Sequence, residues 1–481
     1  MPGKESMKIP QQLEAVIAQM KQELRLDKNF DVIYRVLTIG NRKAAIYCID
    51  GFTKDETLEK LLEFMLKQTG EQLPADAHEF SKMLLPYAEI GLEDEFDQAV
   101  LALLCGQSLL FIEGFSKCLT IDCRTYPARS VSEPDKDKTL RGSRDGFVET
   151  LVFNTALIRR RIRDTRLTME MLRAGRRSRT DICLCYLEDR VDIKLLGRIR
   201  TRIENLQVDA LTMNQESLAE CIYPYKWYNP FPKFKFTERP DTAAACVLEG
   251  NLVILVDNSP SAMVLPSSIF DIVEEADDYY FPPVTGTYLR LSRTVIALIT
   301  YFITPLYLLF SIYPQWLPGW LQFAAIADEV NVPIIVQLLM LELAIDGLRL
   351  AAINTPTMLS TPLSVTAGLA LGEFSVRSGW FNAESMLYMA VIAVANFTQS
   401  SYELGYAVKF MRILNLILTA AFGLPGFLLG LGIFAAAVLT NRTIAGYPYL
   451  YPVIPFNWQK FQARFLRGRL PHTFADNKKN Q

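Results

Sequence analysis

The chain has 481 residues, 50% of them hydrophobic and 21% charged, and its 50 basic and 52 acidic side chains leave a net charge of −2. That balance argues against a strongly basic nucleic-acid binder. The mean hydropathy of +0.14 is high for a soluble protein and low for a membrane protein, because charge is dense before Leu291 and rare between Val295 and Leu439.

Met1 to Leu26 is polar, with Lys4, Glu5, Lys8, Glu14, Lys21 and Glu23 interrupting any apolar core, so no secretory signal is expected and the soluble region is placed in the cytoplasm. Cys48, Cys105, Cys118, Cys123, Cys183, Cys185, Cys221 and Cys246 lie in apolar surroundings without framework spacing, and read as small core residues of a reducing compartment. His78 and His472 stand apart from any cysteine pair. Cys183 and Cys185 share one face of an expected strand, but two thiolates alone are a poor zinc site. No metal or cofactor is expected.

Two stretches resemble each other. Ala99 to Ile121 and Ala243 to Leu265 each run from an Ala/Leu-rich helical turn through a glycine (Gly106, Gly250) into an apolar strand. An acidic residue (Glu113, Asp257), a turn and a second strand follow. Ala44 to Asp50 and Ile182 to Glu188 are likewise strands followed by helical patterns, through Met65 and Ile203. The soluble region is therefore expected to be α+β, two similar α/β subdomains arisen by duplication, at about residues 31–125 and 179–275. As domains these are 1–125 and 179–285, separated by a linker and Arg-rich helical segment over 126–178.

In that segment, nine of the 21 residues from Arg159 to Arg179 are arginine. Lipid headgroups, nucleic-acid phosphates and carboxylates of a neighbouring subdomain are the competing partners. Nucleic acid is disfavoured because the rest of the region is neither basic nor equipped with a reading motif.

A multi-span α-helical membrane domain is expected over 286–457, with four to six crossings and a basic cytoplasmic tail over 458–481. Thr294 to Tyr313 has no charge and is long enough to cross. Arg290 and Arg293 just before it place the soluble region inside. Val332 to Ala352 carries Glu342, Asp346 and Arg349 on one helical face, either lining a wet path or forming an internal ion-pair cluster. Met358 to Phe374 contains Ser360, Thr361, Ser364, Thr366 and Gly368, is interrupted by Pro362 and is closed by Glu373. These small polar residues suit either a pore wall or tight helix packing. Ser385 to Gln399 is a further span, after which Lys409 and Arg412 read as cytoplasmic. Ile413 to Leu439, broken at Gly423-Leu424-Pro425-Gly426, is either one kinked span or a helical hairpin. A hairpin matches a tail made basic by Lys460, Arg464, Arg467 and Arg469.

Five segments occur in a recognisable order: RGSRDGFVE (Arg141 to Glu149), NTALIRRRIR (Asn154 to Arg163), TERPD (Thr237 to Asp241), VDNSPS (Val256 to Ser261) and ADDYY (Ala276 to Tyr280). With the stretch from Leu350 to Pro356 and Gly372, they resemble the A subunits of GerA-type spore germinant receptors over nearly the whole chain. TDICLCYLED (Thr180 to Asp189), NPFP after Tyr228 and NTPTMLSTP (Asn354 to Pro362) are most similar to the stage V sporulation protein AF branch. The resemblance implies the inner membrane of bacterial endospores, self-assembly into an oligomeric ion channel, other spore germination membrane proteins and membrane lipids as partners, and termini on the cytoplasmic (core) side.

Physically, the loop with Arg141, Gly142, Arg144 and Gly146 suits docking between subdomains. TERPD starts a helix, with Pro240 in the first turn, Glu238 and Asp241 at its positive end and Arg239 between them. Asp277 and Asp278, shortly before the first span, are placed to position the soluble region against the membrane surface. No Gly-rich phosphate loop, histidine-paired nucleophile or metal cluster supports an enzyme. A transporter would need more spans and an inverted repeat. A channel subunit is the favoured function, and a non-conducting scaffold around a partner channel or transporter is the alternative.

Overall fold

The computed structural model describes residues 7–68, 73–85, 89–124, 139–140, 142–223, 228–324, 326, 329–354, 365 and 368–466. The chain divides into two compact units, Met1–Pro224 with Phe234–Pro266 and Tyr225–Lys233 with Ser267–Gln481.

The first unit is a tandem repeat. Its first half runs α1 (Leu13–Leu24), β1 (Val32–Ile39), β2 (Arg42–Ile49), α2 (Asp55–Leu66), α3 (Ala77–Met83), β3 (Ile90–Glu93), α4 (Phe96–Leu104), β4 (Ser108–Ile112) and β5 (Cys118–Ile121). The second runs α5 (Leu151–Arg161), β6 (Leu167–Ala174), β7 (Thr180–Leu187), α6 (Ile193–Glu204), α7 (Asn214–Ile222), β8 (Lys235–Thr237), α8 (Pro240–Glu249), β9 (Leu252–Val256) and β10 (Ala262–Leu265). The sheets have orders β1-β2-β4-β5-β3 and β6-β7-β9-β10-β8, and every pairing in both is antiparallel. Helix order, strand order and crossover all coincide, as the expected pair of α/β subdomains requires.

Strand alternation explains the layering. In β2, Ala45, Tyr47 and Ile49 join Leu13, Val16 and Met20 of α1 and Val100 and Leu103 of α4. Ala44 and Ile46 point the other way, to Leu61 and Met65 of α2 and Phe80 of α3. A strand covered on both faces carries a continuous apolar run, so β2 and β7 stand out in the sequence. Cys183 and Cys185 of β7 are fully buried in the matching core under α5 and α8, and burial pushes the Cys183 thiol well up. Gly250 ends α8 at φ 99°, and a Cβ there would meet the Arg190 carbonyl oxygen at 2.8 Å.

The Arg-rich segment differs from the helical reading. Residues 167–174 form β6, the edge strand of the second sheet, so the second repeat begins before residue 179. Several of its arginines pair with carboxylates. Arg161 meets Asp145, Arg166 meets Asp164 and Asp189, and Arg173 meets Asp181. Arg159 is 1% exposed and forks onto Asp31 of the first repeat, with Nε and Nη2 at 2.9 and 3.0 Å from its two oxygens. Its Nη1 donates to the Leu167 carbonyl at 3.0 Å. Beside it, the Met169 amide donates to Asn29 Oδ1 at 2.6 Å.

The second unit is helical. It comprises α9 (Ile269–Val273), α10 (Asp277–Tyr280), α11 (Pro283–Ile312), α12 (Ile334–Asn354), a π-helical stretch (Leu369–Phe374) leading into α13 (Ser375–Arg377), α14 (Ala383–Phe397), α15 (Tyr402–Phe422), α16 (Leu424–Leu439) and α17 (Trp458–Phe465). Among the described residues, α11 and α15 are long and apolar enough to cross a membrane, and α14 and α16 are shorter apolar helices. Residues 228–233 and 267–285, expected in the second α/β subdomain, group with this unit instead.

The Gly-Leu-Pro-Gly break makes a hairpin, not a kinked span. Gly423 takes φ 64° and ψ −134° between α15 and α16, and a Cβ on Gly426 would collide with the Leu418 carbonyl of α15. Small residues permit this close approach. Tyr301 of α11 bridges the hairpin, accepting from Asn415 Nδ2 at 3.1 Å and donating to the Gly430 carbonyl at 3.3 Å.

Asp31→Ala leaves Arg159 buried and unpaired, and should destabilise the full chain by about 3–5 kcal/mol in denaturant unfolding, with the Asp31→Ala/Arg159→Met double variant recovering part of the loss. Gly426→Val should separate α16 from α15 and lower the thermal midpoint of the detergent-solubilised chain. An unchanged midpoint would mean that the hairpin contact contributes little.

Candidate functional site

Within the helical unit, the main chemical feature is a cluster of charges where charge is most costly. Glu342 and Asp346 stand one turn apart on α12. Lys409 and Arg412 stand at i, i+3 on α15, so the two pairs face each other. Arg412 Nε donates to Glu342 Oε1 at 2.9 Å, as does Nη2, and Nη1 donates to the Thr300 carbonyl of α11 at 2.8 Å. Lys409 Nζ lies 3.3 Å from Glu342 Oε2 and also pairs with Asp346. The Arg412 side chain is fully buried and that of Glu342 is 4% exposed, whereas Asp346 is 30% exposed. Two acids and two bases thus compensate one another and tie α11, α12 and α15 together.

Lys409 and Arg412 therefore correct the cytoplasmic-flank reading, because both lie inside α15 with apolar turns on either side. Their i, i+3 spacing complements the i, i+4 spacing of Glu342 and Asp346. Asking which bases could neutralise the acids of α12 would have found them. Arg349 is not part of this cluster. Its guanidinium lies 5.4 Å from the ring centres of both Phe397 and Tyr406. Gly368 is exposed at the start of the π-helical stretch, and Glu373 pairs with Arg377 at 2.7 Å on the surface. Ser360, Thr361, Ser364 and Thr366 lie outside the described residues, as does Arg141.

A second cluster sits at the foot of α11. Arg293 bridges Asp278 (2.7 Å) and Glu275 (2.8 Å), while Arg290 reaches Glu274 (2.7 Å) and Asp278 (3.4 Å). Arg464 of α17 pairs with Asp271 and Glu274. Asp278 is fully buried; burial pushes its carboxyl up, and the guanidinium groups of Arg293 and Arg290 oppose that shift. Asp277 opens α10, and its carbonyl accepts from the Phe281 amide. Sequence reading separated these acids, arginines and the tail, which are brought together by a helix return invisible to local patterns.

In the first unit the two family segments meet. Arg239, fully buried, forks onto Asp241 and donates to the Ser143 carbonyl (2.9 Å) and Thr139 Oγ1 (3.0 Å). The Glu238 carbonyl accepts from the Phe147 amide at 2.8 Å. Pro240 and Asp241 occupy the first turn of α8. Gly142 takes φ 119°, Gly146 is buried and Arg144 is exposed. Among the described residues, no group of three or more His, Cys, Asp and Glu side chains is arranged to hold a metal ion.

The family model described as Bacillus/Clostridium GerA spore germination protein matches residues 18–479. This chain belongs to the GerA family. It is 36% identical to stage V sporulation protein AF of Bacillus subtilis, over 91% of this chain and 90% of that protein. It is 27% identical to spore germination protein KA of Bacillus subtilis, over 92% and 82% of the two chains. A crystal structure of the N-terminal domain of the A subunit of the Bacillus megaterium spore germinant receptor GerK3 aligns at 23% identity with a TM-score of 0.41. That alignment covers 54% of this chain and 97% of that one.

Removing one member of the buried cluster leaves charge without a partner. Arg412→Met should cost this GerA-family chain about 3–5 kcal/mol, read as loss of folded, monodisperse protein on heating in detergent. The Glu342→Met/Arg412→Met double variant should be substantially more stable than the single one. If the double variant is no better, the pair is not what holds α12 to α15.

Proposed function

We propose that this GerA-family protein is an integral membrane subunit of an oligomeric ion channel that releases ions during germination of bacterial endospores. In this reading it resides in the spore inner membrane with both termini on the core side, and works with other spore germination membrane proteins. The observation that carries the reading is the compensated charge cluster of α12 and α15 inside an apolar helical unit. Ionisable residues at such depth mark ion paths or the devices that gate them.

The path itself is assigned to the segment containing Ser360, Thr361, Ser364, Thr366, Gly368 and Glu373. One copy of so short a segment cannot enclose water, whereas a ring of identical copies can. The collar of Glu274, Glu275 and Asp278 around Arg290 and Arg293 gives α9, α10 and α11 the stiffness to pass a displacement into the span. Glu342, Asp346 and Arg349 then act at the gate, not at the pore wall.

One observation favours the scaffold reading. Glu342 is buried and satisfied by Arg412 and Lys409, which is the arrangement expected of a lock between helices. Under that reading the assembly organises a germination complex while ions cross through a partner.

Potassium release from liposomes separates the two. The purified chain alone should release potassium, and Thr366→Trp, matched for oligomer size, should block it. Equal release by the variant would remove this segment from the path. No release with any candidate germination partner added would favour the scaffold.

A further inference from the structure

We propose that α17 and the residues leading into it form an interfacial anchor that binds anionic phospholipid headgroups. This rests on the membrane reading above and adds a site to it. Helix α17 places Trp458, Phe461 and Phe465 at i, i+3 and i+7, one face of a helix. Their rings form a ladder. Phe465 packs edge-on against Phe270 of α9 at 5.0 Å, Phe461 lies 4.5 Å from Phe465, and Trp458 stacks on Phe461 at 5.9 Å with Phe456 beside it at 5.5 Å from Phe461.

The inner end of the ladder is fixed in the fold and the outer end is bare. At the outer end Phe456 and Trp458 are each 62% exposed and Ile454 is 46% exposed. Clustered apolar exposure of this kind marks an interaction surface.

Position identifies the occupant. Arg464 holds α17 to Asp271 and Glu274, and its carbonyl accepts from Arg290 Nη1 at 2.9 Å. Arg290 stands one turn before Thr294, where α11 becomes free of charge. The anchor point is thus the level at which a polar helix becomes a lipid-compatible one, the depth of headgroups and of the aromatic belt. Lys460 is exposed next to the ladder, over the Tyr451 ring at 5.4 Å. Indole and phenyl rings at the acyl boundary with a cation beside them are the combination that holds an amphipathic helix on an anionic bilayer.

The full chain is reconstituted in nanodiscs containing brominated phosphatidylglycerol or, at the same mole fraction, brominated phosphatidylcholine. Fluorescence is compared with Trp458→Phe, so that the difference reports Trp458 alone. The expected result is strong quenching of that difference signal, greater with the anionic lipid, and loss of the anionic preference in Lys460→Glu. Three outcomes overturn the anchor: a water-exposed, unquenched Trp458; a shielded but unquenched one, which means protein covers the face; or equal quenching by both lipids, which removes the headgroup specificity. Failure of the wild-type chain to enter nanodiscs at all would instead sink the membrane reading on which the anchor rests.

Discussion

The helical unit is organised by the free energy of charge in a low-dielectric environment. Arg412 has no exposed side-chain surface, and isolating a guanidinium there costs several kcal/mol even after relaxation. That cost is tolerable only with a carboxylate in direct contact and the remaining N–H groups satisfied. Glu342 supplies the first and the Thr300 carbonyl the second. Once α15 carries Lys409 and Arg412, the position of α12 is restricted to the register that delivers Glu342 and Asp346, and α11 must lie where Thr300 can accept. Neutral polar contacts then refine the arrangement. Tyr307 meets Ser385 at 3.1 Å, and Gln337 meets Asn382 at 2.7 Å, tying α14 to α11 and α12.

The same constraint operates in the first unit. Two copies of one α/β pattern would be free to drift apart if only surface charges linked them, since exposed ion pairs contribute little. Asp31 and Arg159 are different, because both are buried and the fork is bidentate. Asp31 precedes β1 of one repeat and Arg159 lies in the last turn of the helix that begins the other, so the pair couples the helix-to-strand connections of the two halves. Asn29, two residues away, adds backbone contacts to β6. The two sheets share one strand order, and this small asymmetric cluster helps join them into one unit.

The parts of this architecture legible in sequence are those encoded locally. The β2 and β7 runs, the glycine stops at Gly106 and Gly250, and the paired hairpins of β4–β5 and β9–β10 could be read because apolar runs and turn residues declare themselves within a few positions. Strand β6 could not, because Glu170 and Arg173 interrupt its apolar residues on an edge strand, and arginine density masks the alternation. Lys409 and Arg412 were misplaced for a similar reason. A basic residue near an apolar run resembles a cytoplasmic flank until the acids across from it are considered, and those are about 65 residues away in the chain. Arg464 at the foot of α11 is more distant still. No local window contains both halves of a salt bridge that the fold assembles.

A charge cluster that is compensated inside one copy constrains the channel proposed for this chain. While Glu342 is held by Arg412 and Lys409, it presents no net field to a passing cation, so the cluster cannot itself attract ions. It can set the separation of α12 from α15. Asp346, with 30% of its side chain exposed, is the member where solvent can compete for Lys409. In the proposed channel, a displacement arriving through α11 would reach the Thr300 carbonyl and loosen one of the three contacts that keep Arg412 in place. Transfer of Lys409 fully to one acid or the other would then give two helix positions separated by a few kcal/mol, the scale on which a bistable element can be biased by a ligand or partner. A lock and a gate are therefore not exclusive readings of the same four residues. What decides between them is whether the segment proposed as the path becomes wet when the lock shifts.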